Sequence, residues 1–325
     1  MGTKQSPANT CAHDGLVHDA LLYEGVDELA AALIDFVEEG AEAGEAALIA
    51  LPGRRARTVR AALQAHGTEA TVVDMAQLGR NPGRIMPFVR QFVSDNEGRV
   101  RFAGEPIWPG RAPAEINEAT RHEALLNLAF EGTGIPILCP YDAGALEDYV
   151  LEDAERTHPT ILARGKRRAS RRYQGWEDGL AAGSRPLPDL GKPQGELEFE
   201  RGDRSLVRSV VRRQTERTTL APARAHGLML AANEAASNSI LHAKPSGGRL
   251  RVWQRGEGVV CEIADAGRIA DPLAGRLRPA ADAERGRGMW LMNQMCDLVE
   301  TRDDEGGTVT RLHVGETRVA EAPAA

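Results

Sequence analysis

The chain has 325 residues, with 40 Lys and Arg against 47 Asp and Glu, and its formal net charge is −7. This length allows two domains that each bury a core, and the acidic balance argues against direct nucleic acid binding. No apolar run reaches the length of a membrane span, no charged-then-apolar leader opens the chain and no Cys-x-x-Cys pair occurs, so we expect a cytoplasmic protein with reduced thiols.

Strand-like and helix-like segments alternate after a first stretch, residues 1–15, that we expect to be a disordered tail. Apolar runs predict strands over 17–22, 46–51, 70–74, 100–104 and 135–142, and helical spacing predicts helices over 28–43, 58–66, 85–93 and 113–130. This order predicts an α/β domain whose parallel sheet is covered by helices on both faces. The stretch Leu51-Pro52-Gly53-Arg54-Arg55 lacks the ending of a phosphate loop, which argues against a nucleotide at this sheet.

Polar and reactive side chains follow two of the predicted strands. Ligands of open parallel sheets lie at the carboxyl ends of the strands. Glu105 and Trp108 come after one strand, and Cys139 and Asp142 end another. These residues predict one candidate ligand-binding rim.

His18 and Cys139 each have an ordinary structural interpretation as well. A histidine before a strand is more often a core residue than a ligand, and a buried cysteine behaves as a small hydrophobe. A metal site formed by His18, Cys139, Asp142 and His158 is a less favoured alternative. No two of these residues have the spacing in sequence that is typical of metal ligands.

Residues 16–165 resemble the sensory domain named for methanogen, methylotroph and dichloromethane-regulator proteins. The resemblance rests on His18, Tyr23, Gly104-Glu105, Trp108, Glu123, Leu126-Asn127, Cys139-Pro140-Tyr141-Asp142 and His158-Pro159. It implies a RecA-like fold without its phosphate loop, which senses a small molecule or a redox signal. The sensory site that it implies comprises His18, Glu105, Trp108, Cys139 and Asp142.

The boundary between two domains is predicted at residues 166–195. The charged run 165–173 suggests a terminal helix, and the Pro and Gly density of 183–193 is typical of a linker. A second domain is expected over 196–315, with a first strand at 196–199 and a first helix at 206–215. Residues 316–325 are expected to be a disordered tail.

A helix around residues 231–243 carries polar groups where a core helix would carry leucine. Glu234 and Asn238 are one turn apart and therefore share a face. A carboxylate and a carboxamide held together are suited to Mg²⁺, and Glu234 could instead act as a general base. The ordinary alternative is that both side chains are merely solvated.

Glycine-rich turns follow a strand that ends in a carboxylate. The period of two places Asp265 in a row with Val259, Cys261 and Ile263, an unfavourable position for a carboxylate without a partner. The exocyclic amine of a purine is such a partner, and Gly267 would let the backbone approach a flat ring. Downstream, Gly286-Arg287-Gly288 opens a helix whose N-terminus could bind phosphate, and Gly307-Thr308 precedes a closing strand.

This ordered set resembles the N box and glycine boxes of the GHKL (HATPase) ATPase superfamily, specifically its anti-sigma-factor serine kinase branch. The fold that the resemblance implies is an α/β sandwich with a mixed sheet. The roles that it implies are catalytic base for Glu234, Mg²⁺ ligand for Asn238, adenine recognition for Asp265, and nucleotide contacts for Gly267, Gly286, Gly288 and Thr308. Two features depart from the family pattern. Ile269 stands where the family has a glycine, and the lid between residues 269 and 285 is rich in Arg, Ala and Asp instead of glycine.

We therefore expect a bacterial, transcription-regulating signalling protein that binds ATP and Mg²⁺ and phosphorylates a serine of an anti-sigma antagonist of the STAS type. Its N-terminal domain would respond to an unidentified small molecule. Alternatives are a non-catalytic module that binds ATP or sequesters a sigma factor, and an atypical sensor histidine kinase. The sequence leaves a homodimer open.

Overall fold

A computed structural model describes residues 17–280 and 286–315. The two predicted tails, 1–15 and 316–325, and the last part of the predicted lid lie outside the described residues. Within these ranges, the strands form a seven-stranded and a five-stranded sheet. None of the helices described has the length and apolar character that crossing a bilayer requires.

The first sheet is the parallel sheet that the sequence predicts. Its strand order is β3-β2-β4-β5-β1-β6-β7, and every pairing but the last is parallel. Its strands are β1 (Val17–Tyr23), β2 (Ala46–Leu51), β3 (Thr71–Asp74), β4 (Val100–Gly104), β5 (Pro136–Asp142), β6 (Thr160–Ala163) and β7 (Lys166–Ala169).

Helices cover both faces of this sheet because its strands are apolar on both sides. One face packs against the first two helices, and the other packs chiefly against the fourth to sixth. The helices are α1 (Val26–Ala43), α2 (Gly53–His66), α3 (Met75–Leu78), α4 (Ile85–Asp95), α5 (Pro113–Ala129) and α6 (Asp148–Thr157), with a short 3₁₀ helix at Pro82–Arg84.

The predicted linker holds regular structure that packs on the sensory domain. The charged run 165–173 does not form a helix: β7 pairs antiparallel with β6 and extends the sheet. Its side chains are exposed, as an edge strand permits, so backbone pairing outweighs the helical preference of Lys and Arg. A further helix, α7 (Trp176–Gly183), lies against α5, where Gly179 and Gly183 allow close contact.

The second sheet forms the C-terminal domain and has the order β11-β12-β10-β9-β8. Its pairings are all antiparallel, not mixed as expected: short turns join β9 to β10 and β11 to β12, and the helical connections return the chain in the antiparallel sense for the other two pairs. Its strands are β8 (Gly195–Phe199), β9 (Gly248–Arg255), β10 (Gly258–Asp265), β11 (Leu298–Asp304) and β12 (Gly307–Val314). The helices are α8 (Arg204–Thr215), α9 (Pro222–His242) and α10 (Arg287–Met295).

Candidate nucleotide site and sensory-domain cluster

A cavity of about 630 Å³ opens between α9, the end of β10, the segment 267–279 and the start of α10. Its volume falls within the range of small-molecule sites, roughly 300–1,000 Å³. Six of the residues predicted to contact nucleotide or metal line it together: Asn238, Asp265, Gly267, Gly286, Gly288 and Thr308. The structure therefore brings motifs from four separate stretches of sequence to one cavity.

Glu234 lies beside this cavity, one helical turn from Asn238 on α9. A Cβ added to Gly288 would be 3.0 Å from Glu234 Oε2 and 3.5 Å from Asn238 Oδ1. Gly288 belongs to the first turn of α10, and the preceding Gly286 has a φ of +84°. A helix N-terminus carries partial positive charge, so its first turn and the two polar side chains place together the kinds of group that can hold a metal ion and a phosphate.

Asp265 is held in place by its neighbours at the other end of the cavity. Its Oδ1 accepts a hydrogen bond from the Gly267 backbone N–H at 2.7 Å, and its Oδ2 accepts one from Ser239 Oγ at 2.5 Å. Thr308 lies opposite Asp265 in the sheet register and donates to Asp303 at 2.6 Å. The Asp265 carboxylate is thus oriented before any ligand arrives.

Gly307 permits the tight approach between these two strands. Its φ is +125°, and a Cβ at this position would lie 1.9 Å from the Asp265 carbonyl oxygen. Any other residue would displace the backbone that presents Asp265. The Gly-Gly-Thr sequence therefore has a steric role in the shape of the cavity.

The sensory domain contacts the C-terminal end of helix α10. Arg84 donates from Nε to the Asn293 carbonyl at 2.8 Å, and from Nη2 to the Cys296 carbonyl at 2.8 Å. Asn81 donates to Asn293 Oδ1 at 3.1 Å. The last carbonyls of α10 therefore find donors in the other domain, while the first turn of the same helix faces the cavity.

The lid segment also contacts the sensory domain. Leu273 and Leu277 pack against that domain's core. Glu118 on α5 accepts hydrogen bonds from Arg276 of the lid at 2.6 Å and from Arg302 of β11 at 2.5 Å. Burial raises the pKa of Glu118, but Arg121, Arg302 and Arg276 outweigh it and hold the pKa below its ordinary value. This buried ion cluster joins α5 to the roof of the cavity.

The predicted sensory residues do not share one rim, because they separate between the two faces of the first sheet. His18 and Cys139 lie on the α5 face, where Cys139 Sγ is 3.3 Å from His18 Nε2 and 3.0 Å from Glu123 Oε2. His158 Nε2 lies 3.3 Å from the same Glu123 oxygen. Three of the four residues that we ranked low as a metal site therefore do converge, with Glu123 in place of Asp142.

The ionisation of this cluster is set by burial and by the neighbouring rings. Burial raises the pKa of Glu123, yet contacts with the imidazoles of His158 and His18 outweigh it and hold the pKa well below its usual range. Burial and the nearby Glu123 charge raise the pKa of the Cys139 thiol well above its ordinary value. Burial lowers the pKa of His158.

Glu105 and Asp142 form a second polar group at the strand ends. Tyr23 Oη donates to Glu105 at 2.8 Å, and Arg55 donates to Glu105 at 2.9 Å and to Asp142 at 2.5 Å. Burial raises the pKa of Glu105 to about 8, against the opposing charge of Arg55. Trp108 belongs to neither group: it is buried in the core, with the Arg111 guanidinium 4.3 Å from its ring.

Sequence reasoning did not assign site roles to Glu118, Glu123 or Arg276. Glu118 and Glu123 lie five residues apart on α5. This helix buries many polar residues, including Glu115, and therefore departs from the single apolar stripe of an ordinary surface helix. Fully buried acids need partners. That departure is the sequence signal that could have identified them.

The structure thus joins an α/β domain with a parallel sheet to a second domain whose cavity has the size of a small-molecule site. Residues 17–159 match the family described as MEDS, the MEthanogen/methylotroph, DcmR Sensory domain. Residues 200–314 match the family described as the histidine kinase-like ATPase domain. The chain is thus a MEDS domain fused to a GHKL-like ATPase domain, as its motifs predict. A search of curated proteins gave no match.

Proposed function

We propose that this protein is an ATP-dependent serine kinase whose substrate is an anti-sigma antagonist, and whose MEDS domain regulates that activity. The observation that carries the proposal is the cavity that collects Asn238, Asp265, Gly267, Gly286, Gly288 and Thr308, with Glu234 beside it. ATP would supply the γ-phosphoryl group. The side chains described below would bind, orient and position.

The residues present fit this nucleotide and a magnesium ion. Asn238 offers an oxygen ligand that Mg²⁺ accepts, and the first turn of α10 offers backbone N–H groups to phosphate. The pre-oriented Asp265 carboxylate is an acceptor for an adenine amine. Glu234 would then accept the proton of the substrate serine, so that catalysis depends chiefly on positioning and electrostatics.

A purified-protein assay tests the kinase. Full-length protein with Mg²⁺, γ-labelled ATP and candidate antagonists should yield phosphoserine on the partner. Glu234→Gln should lower transfer by about 10²–10⁴-fold, the usual contribution of a general base, and leave nucleotide affinity near that of the wild type. Glu216→Gln, an exposed position at the end of α8, is the matched control and should leave transfer unchanged.

Two outcomes would change the assignment. An equal loss of transfer and of nucleotide affinity in Glu234→Gln would reassign Glu234 to binding. Nucleotide binding without transfer to any antagonist would support a non-catalytic module that binds ATP or sequesters a sigma factor.

A specific observation favours that second candidate. Ile269 replaces a glycine at the start of the lid, and the lid residues Leu273 and Leu277 are packed against the MEDS core. A lid anchored in this way could hold nucleotide without turnover. The histidine kinase alternative is less favourable, because the fully buried His158 faces Glu123 and is inaccessible to a phosphoryl donor.

A further inference from the structure

Four different metal-binding side chains converge inside the MEDS domain. One ring nitrogen of His18, one of His158, an oxygen of Glu123 and Sγ of Cys139 lie within 4.8 Å of one another, and all four residues are buried. Tetrahedral zinc, with bonds of about 2.0–2.3 Å, separates its ligand atoms by roughly 3.3–3.8 Å. Four separations approach that spacing: Glu123 Oε2 lies 3.0 Å from Cys139 Sγ, 3.2 Å from His18 Nε2 and 3.3 Å from His158 Nε2, and His18 Nε2 lies 3.3 Å from Cys139 Sγ.

Nδ1 of each imidazole already faces a hydrogen-bond acceptor. The Asn127 amide nitrogen donates to the Thr157 carbonyl at 2.7 Å, so its Oδ1 faces His18 Nδ1, at 3.0 Å, as an acceptor. His158 Nδ1 lies 2.8 Å from the Ala154 carbonyl, which can only accept. In each neutral ring the proton is therefore on Nδ1, and Nε2 presents a lone pair to the cluster, the orientation found in metal-ligating histidines.

With both rings neutral, the centre of the cluster holds two imidazole lone pairs and the Glu123 carboxylate, and the Cys139 thiol hydrogen is the one hydrogen that these four groups offer them. Among the described residues, His158 Nε2 and Glu123 Oε1 have no hydrogen-bond partner, although His158 Nε2 is within 3.3 Å of the other Glu123 oxygen. A buried arrangement of facing lone pairs is unfavourable without a cation between them.

We propose that His18, Glu123, Cys139 and His158 bind one thiophilic divalent transition-metal ion, with Zn²⁺ as the best match. A thiolate and a carboxylate would neutralise the two positive charges of the ion, which suits a site without solvent access. Cys139 would release its thiol proton to solvent as the metal–sulfur bond forms. Four protein ligands leave no open position, so the site would be structural or sensory and not hydrolytic.

Metal analysis of full-length protein tests the site. Elemental analysis should find about one zinc per chain, and X-ray absorption of the wild type should count one sulfur among nitrogen and oxygen ligands. Replacement by Co²⁺ should give the visible bands of a tetrahedral ion and a thiolate-to-cobalt charge-transfer band. Cys139→Ser should abolish the charge-transfer band, whereas Cys261→Ser, which removes another fully buried thiol, should retain it.

A second variant keeps the test decisive where Cys139→Ser fails to fold. Asn127→Leu spares every ligand but removes the acceptor of His18 Nδ1, so metal affinity should fall by about 10–100-fold. Wild-type protein that takes up neither Zn²⁺ nor Co²⁺ would overturn the proposal. A cobalt complex without sulfur ligation would also overturn it, and would leave a proton-sharing network as the explanation of the cluster.

Discussion

Glu105 is a fully buried carboxyl group whose protonation should make stability depend on pH. Burial raises its pKa from 4.5 to about 8. Between these values the folded state retains a proton that the unfolded chain has lost. The stabilisation is therefore complete below pH 4.5 and declines as pH rises through 8, by up to about 1.4 kcal/mol per pH unit.

Urea unfolding between pH 5 and 8 should show this decline in wild-type protein. Glu105→Gln, which cannot ionise, should flatten the profile because the proton uptake is removed. Glu24→Gln is the control, since Glu24 forms only an exposed ion pair with Arg164 and should keep the wild-type slope. An unchanged slope in Glu105→Gln would show that another group titrates.

Individual residues were predictable from sequence where their partners lie close along the chain. Glu234 and Asn238 share a helical turn, and Asp265 is two residues from Gly267, so local periodicity was sufficient to group them. The ligands His18, Glu123 and His158 come from three elements distant in sequence. His18 is on β1, Glu123 is on α5 and His158 follows α6, and no local pattern indicates that residues of these three elements meet, so their convergence required the structure.

Helix α5 is the element that connects the two halves of the molecule. Its Glu123 belongs to the buried cluster, and its Glu118 accepts hydrogen bonds from Arg276 and Arg302 of the ATPase domain. Removal of Glu118 would take from the buried Arg276 guanidinium its ion-pair partner and would leave Arg302 with the longer contact of 3.8 Å to Glu300. Glu118→Leu should therefore destabilise the full-length protein by about 3–5 kcal/mol.

A double-mutant cycle separates this contact from a general packing defect. Unfolding by guanidinium chloride should show that the Glu118→Leu, Arg276→Leu double variant loses less stability than the two single variants together. The coupling free energy should be about 0.5–3 kcal/mol. The exposed Glu38–His66 pair is the matched control and should show no measurable coupling. Strictly additive losses at Glu118 and Arg276 would mean that the ion cluster does not join the domains.

Elements of the first sheet were predictable because apolar runs and helical spacing alternate clearly up to β5. The elements that follow β5 in this half of the chain, from α6 to α7, were not predicted. Lys166–Ala169 has the charge of a solvated helix, and only its pairing with Thr160–Ala163 selects a strand. Residues 183–193 have the composition of a flexible linker. Composition does not indicate which residues of the MEDS domain the ATPase domain contacts.

At the scale of the whole molecule, the MEDS domain contacts both structures that frame the nucleotide cavity. Asn81 and Arg84 bind the far end of α10, and Glu118 binds the lid through Arg276. A signal that moves α5 would thus act on the cavity without a flexible linker. Because linkage is reciprocal, nucleotide binding should act on the MEDS domain by the same free energy.

Hydrogen exchange can detect that reciprocal effect in the full-length chain. Addition of ATP and Mg²⁺ should slow exchange in the 3₁₀ helix and in α5, because an ordered lid and α10 would hold their contacts more persistently. Peptides from α1 and α2, on the opposite face of the first sheet, are the internal control and should not change. In the Arg84→Met, Glu118→Leu double variant, nucleotide should still protect residues around Asp265 but no longer α5. Protection confined to the ATPase domain in wild-type protein would show that nucleotide binding is not coupled to the MEDS domain.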